Sequence, residues 1–351
     1  AKACVAGAVV YDLCKAGDEA VEEKLALAFN QGQIEKGPAF PTCVSLNNCC
    51  GNFSPLETDT TALKGGDMVK ISLGVQIDGY ISYGGHTLVV AKDGEDGSVP
   101  VTGRAADVLS AARDAAIIVH SLLRPDVTSD TLTAAIESVA KAYNCNPLHE
   151  TVCYSMKRFV PQGRKQFLNR RPVNPQEESE SFKIVDGEVY DVQISMSTGD
   201  GFHRPGDAKT TVLQRNLAAN FQLRGKAGRA VYSDISDRFP TMPFSLRQLT
   251  SVKQLLGVKE CINHFLLSEF QPTFEKPKHL VAQFRFTAMV HNGKTICLSD
   301  HEIQPTASEF RFEDERAQPV LAMAKNKPLG VLKWSTNVRE RARVCVCVCV
   351  R

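Results

Sequence analysis

The chain has 351 residues, 43% of them hydrophobic and 23% charged, with a net charge of +2. That composition excludes a disordered or fibrous chain, and a charge so close to zero means that any affinity for nucleic acid must come from local patches. No apolar run approaches the ~18 residues of a membrane helix, and the twelve cysteines include no paired CxxC or Cys/His array of zinc spacing, so reduced thiols in a cytosolic or nuclear protein are expected.

The first stretch, AKACVAGAVVYDLCKAG, has too few basic residues ahead of its apolar part to read as a signal peptide. Because it lacks an initiator Met, further residues upstream are expected. Residues 9–30 carry apolar side chains at helical spacing, among them Val10, Leu13, Val21 and Leu25. Gly37 and Pro38 end that region, and residues 40–50 read as an extended segment. In residues 63–90, Val69, Ile71 and Leu73 alternate with polar residues, and Asp78-Gly79 is good turn chemistry. This predicts a hairpin. A loop follows at 94–97, then an amphipathic helix at 104–123 closed by Arg124-Pro125, then a helix at 130–143 with Ser129 as its N-cap. Residues 182–197 read as two strands with a turn at Asp186-Gly187. Residues 226–267 look mainly helical with a break at 240–245, and residues 280–290 return to strand. From Thr306 onward the chain looks peripheral, ending in the low-complexity VCVCVCVR.

Several of these pieces are specific. The hairpin spells GD-x-V-x-I-x-L-G-x-x-x-D-G-Y-I-x-x-x-x-H-T, and it is preceded by FPTCVSLNNC-x-x-x-FSPL. RAVYSDISDRFPTMPFSLR and LVAQFRFT follow later. From about residue 14 to about residue 312 the chain resembles the methionine aminopeptidase superfamily, and within it the non-peptidase, proliferation-associated (ErbB-receptor-binding) branch of the type-2 enzymes. The resemblance implies an α+β pita-bread fold: a curved, mainly antiparallel sheet backed by helices, with a helical insert. The division it suggests is 1–221 for the first part, 222–278 for the insert, 279–312 for the closing strands and 313–351 for a C-terminal extension.

Active members of that superfamily hold two metal ions on two hairpin aspartates, a histidine and two glutamates. Carried across one at a time, the hairpin aspartates fall at Ser72 and Tyr83. The histidine falls at Cys153 or its neighbour Tyr154, the first glutamate at Gln193 and the last near Ile296. Asn52 stands where the substrate-side histidine belongs, and no Asp or Glu occurs between residues 281 and 299. Divalent ions of this kind need charged oxygen donors, which these side chains do not supply. The resemblance therefore implies no catalytic residue, no metal and no other cofactor. Asp78 reads as a turn residue and His86 as a packed or surface histidine.

The partners implied by the resemblance are the large ribosomal subunit near the peptide exit tunnel, through ribosomal RNA and exit-tunnel proteins, and structured RNA, in translation or ribosome biogenesis. The alternatives are an interaction scaffold in growth signalling or transcription and a residual metalloaminopeptidase. The vestigial cleft is expected to accept a peptide or protein ligand. A cytoplasmic monomer with nuclear or nucleolar forms and no membrane partner is expected. The family's lysine-rich tail has no counterpart in VRERARVCVCVCVR, so roles resting on that tail do not carry over.

Two basic regions suggest an RNA interface independently. KRFVPQGRKQFLNRR contains Lys157, Arg158, Arg164, Lys165, Arg170 and Arg171 with no acid, and Phe159 and Phe167 lie between them. Phosphates attract such clusters and aromatics can stack on unpaired bases; a solvated loop with core phenylalanines is the plain alternative. The insert offers Arg229, Arg238, Arg247, Lys253 and Lys259, but Asp234, Asp237 and Glu260 mix its charge.

Overall fold

The computed structural model describes residues 1–30, 33–92, 99–174, 180–249, 252–299 and 304–313. The loop expected at 94–97, the low-complexity tail and the rest of the extension after 313 lie outside them. Helix α1 (Val10–Ala26) leads into β1 (Lys36–Leu46) and the short β2 (Cys49–Gly51). The hairpin forms as β3 (Met68–Ile77) and β4 (Tyr80–Val89). Asp78 and Gly79 close it at φ of 54° and 76°, a left-handed conformation that Gly enters freely and Asp at modest cost. After β5 (Val101–Thr102) come α2 (Gly103–Leu122) and α3 (Ser129–Ala142), then β6 (Asn146–Pro147), β7 (Val152–Met156), β8 (Gln166–Leu168), β9 (Val189–Ser197), β10 (Arg204–Pro205) and β11 (Val212–Arg215). The chain continues through α4 (Lys226–Arg238), β12 (Phe244–Ser245), α5 (Val252–Asn263), β13 (Leu267–Phe270) and β14 (Thr273–Phe274), and closes with β15 (Val281–His291), β16 (Lys294–Cys297) and β17 (Thr306–Ala307).

Nine strands make one sheet in the order β1-β3-β4-β15-β9-β7-β8, with β16 beside β15 and β6 beside β9. Its strand pairs are antiparallel. Because successive residues of a strand face opposite ways, the central strands have two distinct faces. Tyr190, Val192, Ile194 and Met196 of β9 and Phe284, Phe286, Ala288 and Val290 of β15 pack with α2 and α3 in the main core. Asp191, Gln193 and Ser195, with Arg285, line the opposite face.

Four expectations change. Helix α2 is not amphipathic in effect: thirteen of its twenty residues are buried. The segment from Thr306, expected to be peripheral, docks on it. Thr306 Oγ1 lies 2.8 Å from Ser110 Oγ, and Ser308 Oγ donates to Asp107 at 2.7 Å. These partners explain how Asp107 and Ser110 come to be buried. The cap of α3 is Thr128, whose hydroxyl accepts from the Thr131 amide; Ser129 Oγ accepts from the Phe182 amide instead. That contact leaves residues 182–188 as a loop with one isolated bridge, Lys183 to Thr128, so only β9 forms of the two strands expected there.

A smaller unit builds its own core. Strands β12, β11 and β13 form a three-stranded sheet. With α4 and α5 they enclose Leu213, Val231, Ile235, Phe244, Val258 and Cys261. The break expected at 240–245 contains β12, and β11 joins this sheet ahead of residue 222.

Candidate functional site

The strand register sets four positions in one row across the sheet. Ser72 pairs with Gly85, Gly85 with Arg285, and Arg285 with Gln193. Tyr83 lies two residues along β4, and Tyr154 pairs with Asp191. A cavity of about 330 Å³ opens over this face, lined among others by Phe40, Tyr83, Tyr154, Asp191, Gln193 and Arg285. Ser72 is buried beside it without lining it. Gly85 makes room for the arrangement: a Cβ there would sit 2.9 Å from the Ile71 carbonyl oxygen and 3.2 Å from the Arg285 Cβ.

Arg285 dominates the floor. Its Nε donates to Asp191 Oδ1 at 2.9 Å and its Nη2 to Oδ2 at 2.7 Å, both residues being buried. The guanidinium carbon lies 3.9 Å from the Tyr83 ring centroid and 5.0 Å from that of Phe40, where the ring quadrupole attracts a cation. Burial works against its charge, but the Asp191 carboxylate and its hydrogen bonds outweigh burial, so the guanidinium pKa is raised and it stays protonated. Burial pushes the Tyr83 hydroxyl well above its ordinary range despite the nearby Arg285, and it raises Tyr154 with Asp191 adding to the effect. Both are neutral phenols at physiological pH.

The row corrects part of the ligand transfer. Ile296 lies on β16 opposite Met289, four residues along β15 from Arg285, a displacement of about 13 Å at the usual strand rise. The strand position opposite Gln193 belongs to Arg285, in LVAQFRFT. Cys153 turns to the helix-side core, where its Sγ donates to the Gln193 carbonyl at 3.4 Å; its neighbour Tyr154 faces the cavity. The floor is also not stripped of anions, because Asp191 is there. Sequence reasoning missed it; its parity with Gln193 on β9 is the signal that could have found it. Asn52 lines the cavity.

These residues do not fit a pair of divalent cations. Asp191 spends both oxygens on Arg285, the remaining groups are phenols, a hydroxyl and an amide, and a guanidinium opposes any further cation. Among the described residues no group of three or more His, Cys, Asp or Glu side chains is gathered to hold a metal ion.

The basic segment is more heavily engaged than its sequence suggests. Arg158 pairs with Asp78 at 2.6 Å, Lys165 with Glu188 at 2.5 Å and Arg171 with Glu137 at 3.0 Å. Arg170 donates to the Asp200 carbonyl and lies over Phe202. Lys157 and Arg164 are exposed and have no ion-pair partner among the described residues. Phe167 is buried in the main core, and Phe159 is half-buried against Gly79, so neither is a free stacking surface for a base. In the smaller unit Arg229 donates to the Leu223 and Arg224 carbonyls, Arg238 pairs with Asp234 at 3.2 Å and Lys259 is exposed. The Lys253 side chain lies outside the described residues. Arg247 is no surface cation. Its Nη2 meets Asp18 Oδ2 at 2.7 Å, its Nη1 donates to Ser54 Oγ and Pro55 O, and little of its side chain is exposed. It joins the smaller unit to α1.

With this geometry in hand, the profile of metallopeptidase family M24 matches residues 2–201. The chain belongs to this family. ErbB-3 binding protein 1 of Solanum tuberosum is 38% identical over 309 residues, covering 86% of this chain and 78% of that protein. That puts the M24 chain in the ErbB-3-binding, proliferation-associated branch. A curved DNA-binding protein of Schizosaccharomyces pombe is 33% identical over 335 residues, 94% of this chain and 86% of that one. Among solved structures, a thermophilic Arx1 superposes with a TM-score of 0.81 at 25% identity, covering 94% of this chain and 93% of the other. A methionine aminopeptidase from Thermotoga maritima superposes at 0.55 with 13% identity, over 85% and 88% of the two chains, which shows the shared fold alone. The fold is the pita-bread fold.

Proposed function

We propose that this M24 chain is a non-catalytic binding protein that associates with the large ribosomal subunit near the peptide exit tunnel and with structured RNA, in translation or ribosome biogenesis, in the cytoplasm and nucleolus. The observation that carries the non-catalytic part is the Arg285–Asp191 pair, which fills the ligand row with a bound guanidinium. Membership of the ErbB-3-binding branch supports the ribosomal part. The name of the curved DNA-binding relative and the exposed Lys157 and Arg164 support nucleic-acid contact.

The test is density-gradient fractionation of a lysate containing the tagged chain. Comigration with large subunits that is lost as salt rises is the expected result, because phosphate contacts release counterions. A chain that stays at the top of the gradient at low salt overturns the ribosomal reading. Turnover of a Met-initiated peptide by metal-supplemented protein overturns the non-catalytic one. A second reading, an interaction scaffold for other proteins, is favoured by the apolar end of the smaller unit. Phe265 there is 76% exposed, and Phe221 stacks on His264 with centroids 3.7 Å apart. Apolar surface of this kind is common at protein contacts.

A further inference from the structure

Two hydrogen-bond donors over the cavity have nothing to donate to. Ser195 is 1% exposed, lines the cavity, and its Oγ has no partner among the described residues. Arg285 spends Nε and Nη2 on Asp191, and among the described residues no group accepts from its Nη1. A buried polar group left unpaired is costly, so the Ser195 hydroxyl suits an acceptor supplied from outside, and Arg285 Nη1, which is not fully buried, is free to donate to the same ligand. Asn52 and Glu150, both in the lining, hold φ of 61° and 58°.

The lining also limits what that acceptor can be. Arg285 is the one Lys or Arg in it, and Asp191 cancels its charge. Glu150 and Glu269 are exposed on the walls and add negative charge. A phosphate or carboxylate would meet a net repulsive field, whereas an uncharged carbonyl would not. A chain-terminal ammonium has no free carboxylate at the floor, because both Asp191 oxygens are occupied. Phe40 sets its ring edge-on to Tyr83 and to Phe270, with centroids 6.3 and 5.6 Å away, which forms an aromatic wall suited to an apolar side chain.

We propose that this cavity binds an internal, extended segment of a basic polypeptide, with an apolar side chain against the aromatic wall, main-chain carbonyls accepting from Arg285 Nη1 and Ser195 Oγ, and flanking Lys or Arg residues facing Glu150 and Glu269. No metal and no free amino terminus is required. The proposal does not depend on ribosome association, and its test uses the purified full chain alone.

The test is calorimetric titration with acetyl-Lys-Leu-Lys-amide. Binding of this peptide is expected. Acetyl-Glu-Leu-Glu-amide should bind at least about tenfold more weakly, and inorganic phosphate should neither bind nor compete. Unacetylated Lys-Leu-Lys-amide should gain nothing over the acetylated peptide. Ser195→Ala should weaken binding by about fivefold to tenfold while leaving the melting temperature unchanged, since the lost hydroxyl makes no bond within the protein. No binding of the basic peptide overturns the proposal. So does equal affinity for the acidic one, a strong preference for the free amine, or a Ser195→Ala variant with undiminished affinity.

Discussion

At the scale of single residues, the Arg285–Asp191 pair explains more than its own stability. Burying an ion pair gains little overall, but breaking one strands a charge. Asp191→Asn or Arg285→Met is therefore expected to cost about 3–5 kcal/mol in urea unfolding, with the double variant much closer to wild type than the sum of the two. Additive losses would show that the two side chains do not act as a unit. Lys70 makes the opposite case, a buried cation without a counter-ion. It is 1% exposed, its Nζ donates to the Asn47 carbonyl at 2.8 Å, and burial lowers its pKa from 10.5 to about 8 against the opposing influence of Cys49 and Cys50. Below pH 8 both folded and unfolded chains hold the proton, and folding bears the full cost of burying it. Between pH 8 and 10.5 the unfolded chain holds more protons, so stability rises with pH; above that the cost has gone. Lys70→Met should then be more stable than wild type at pH 7 by up to about 3 kcal/mol, with the gap closing toward pH 10.5. A gap that does not change with pH would mean that Lys70 folds with an ordinary pKa.

Elements meet through contacts that local sequence cannot display. Arg247 reads as one more cation of the insert, yet its partner Asp18 lies 229 positions away on α1. Arg247→Ala should leave the core of the smaller unit intact but detach it from α1, at a cost of about 3–5 kcal/mol because Asp18 keeps its charge in a mostly buried place. Hydrogen exchange would read this as faster exchange at β12 and along the first turns of α1, with β9 and β15 unchanged; uniform acceleration would mean that the clasp is part of the main core. The β3–β4 hairpin was legible because alternation and an Asp-Gly turn are local signals, and Ser72 and Tyr83 could be placed by counting along it. The last ligand position could not be counted. With no acid between residues 281 and 299, only the ladder that sets Arg285 opposite Gln193 identifies it. The burial of Asp107 and Ser110 on α2 was hidden for the same reason, since their partners Ser308 and Thr306 lie 201 and 196 positions later in the chain.

For the whole molecule, a net charge of +2 leaves attraction to RNA to a few exposed cations. The structure sorts them. Lys165 and Arg171 are bound to Glu188 and Glu137, so reversing either one sets like charges together and perturbs the fold before it tests an interface. Lys157 and Arg164 make no ion pair among the described residues, so Lys157→Glu with Arg164→Glu changes the outer field and little else. If this segment touches ribosomal phosphates, the double reversal should lower the fraction comigrating with large subunits. It should also flatten the dependence of log affinity on log salt by about 1.4–1.8 units, two contacts at the counterion release expected for each. The melting temperature should stay the same. A lower affinity with an unchanged salt slope would mean that the two side chains act through contacts other than charge, since phosphate contact and long-range steering both weaken with salt. Unchanged affinity and slope would exclude the segment from the proposed interface and leave the smaller unit, with its exposed Lys259 and Phe265, as the other candidate surface.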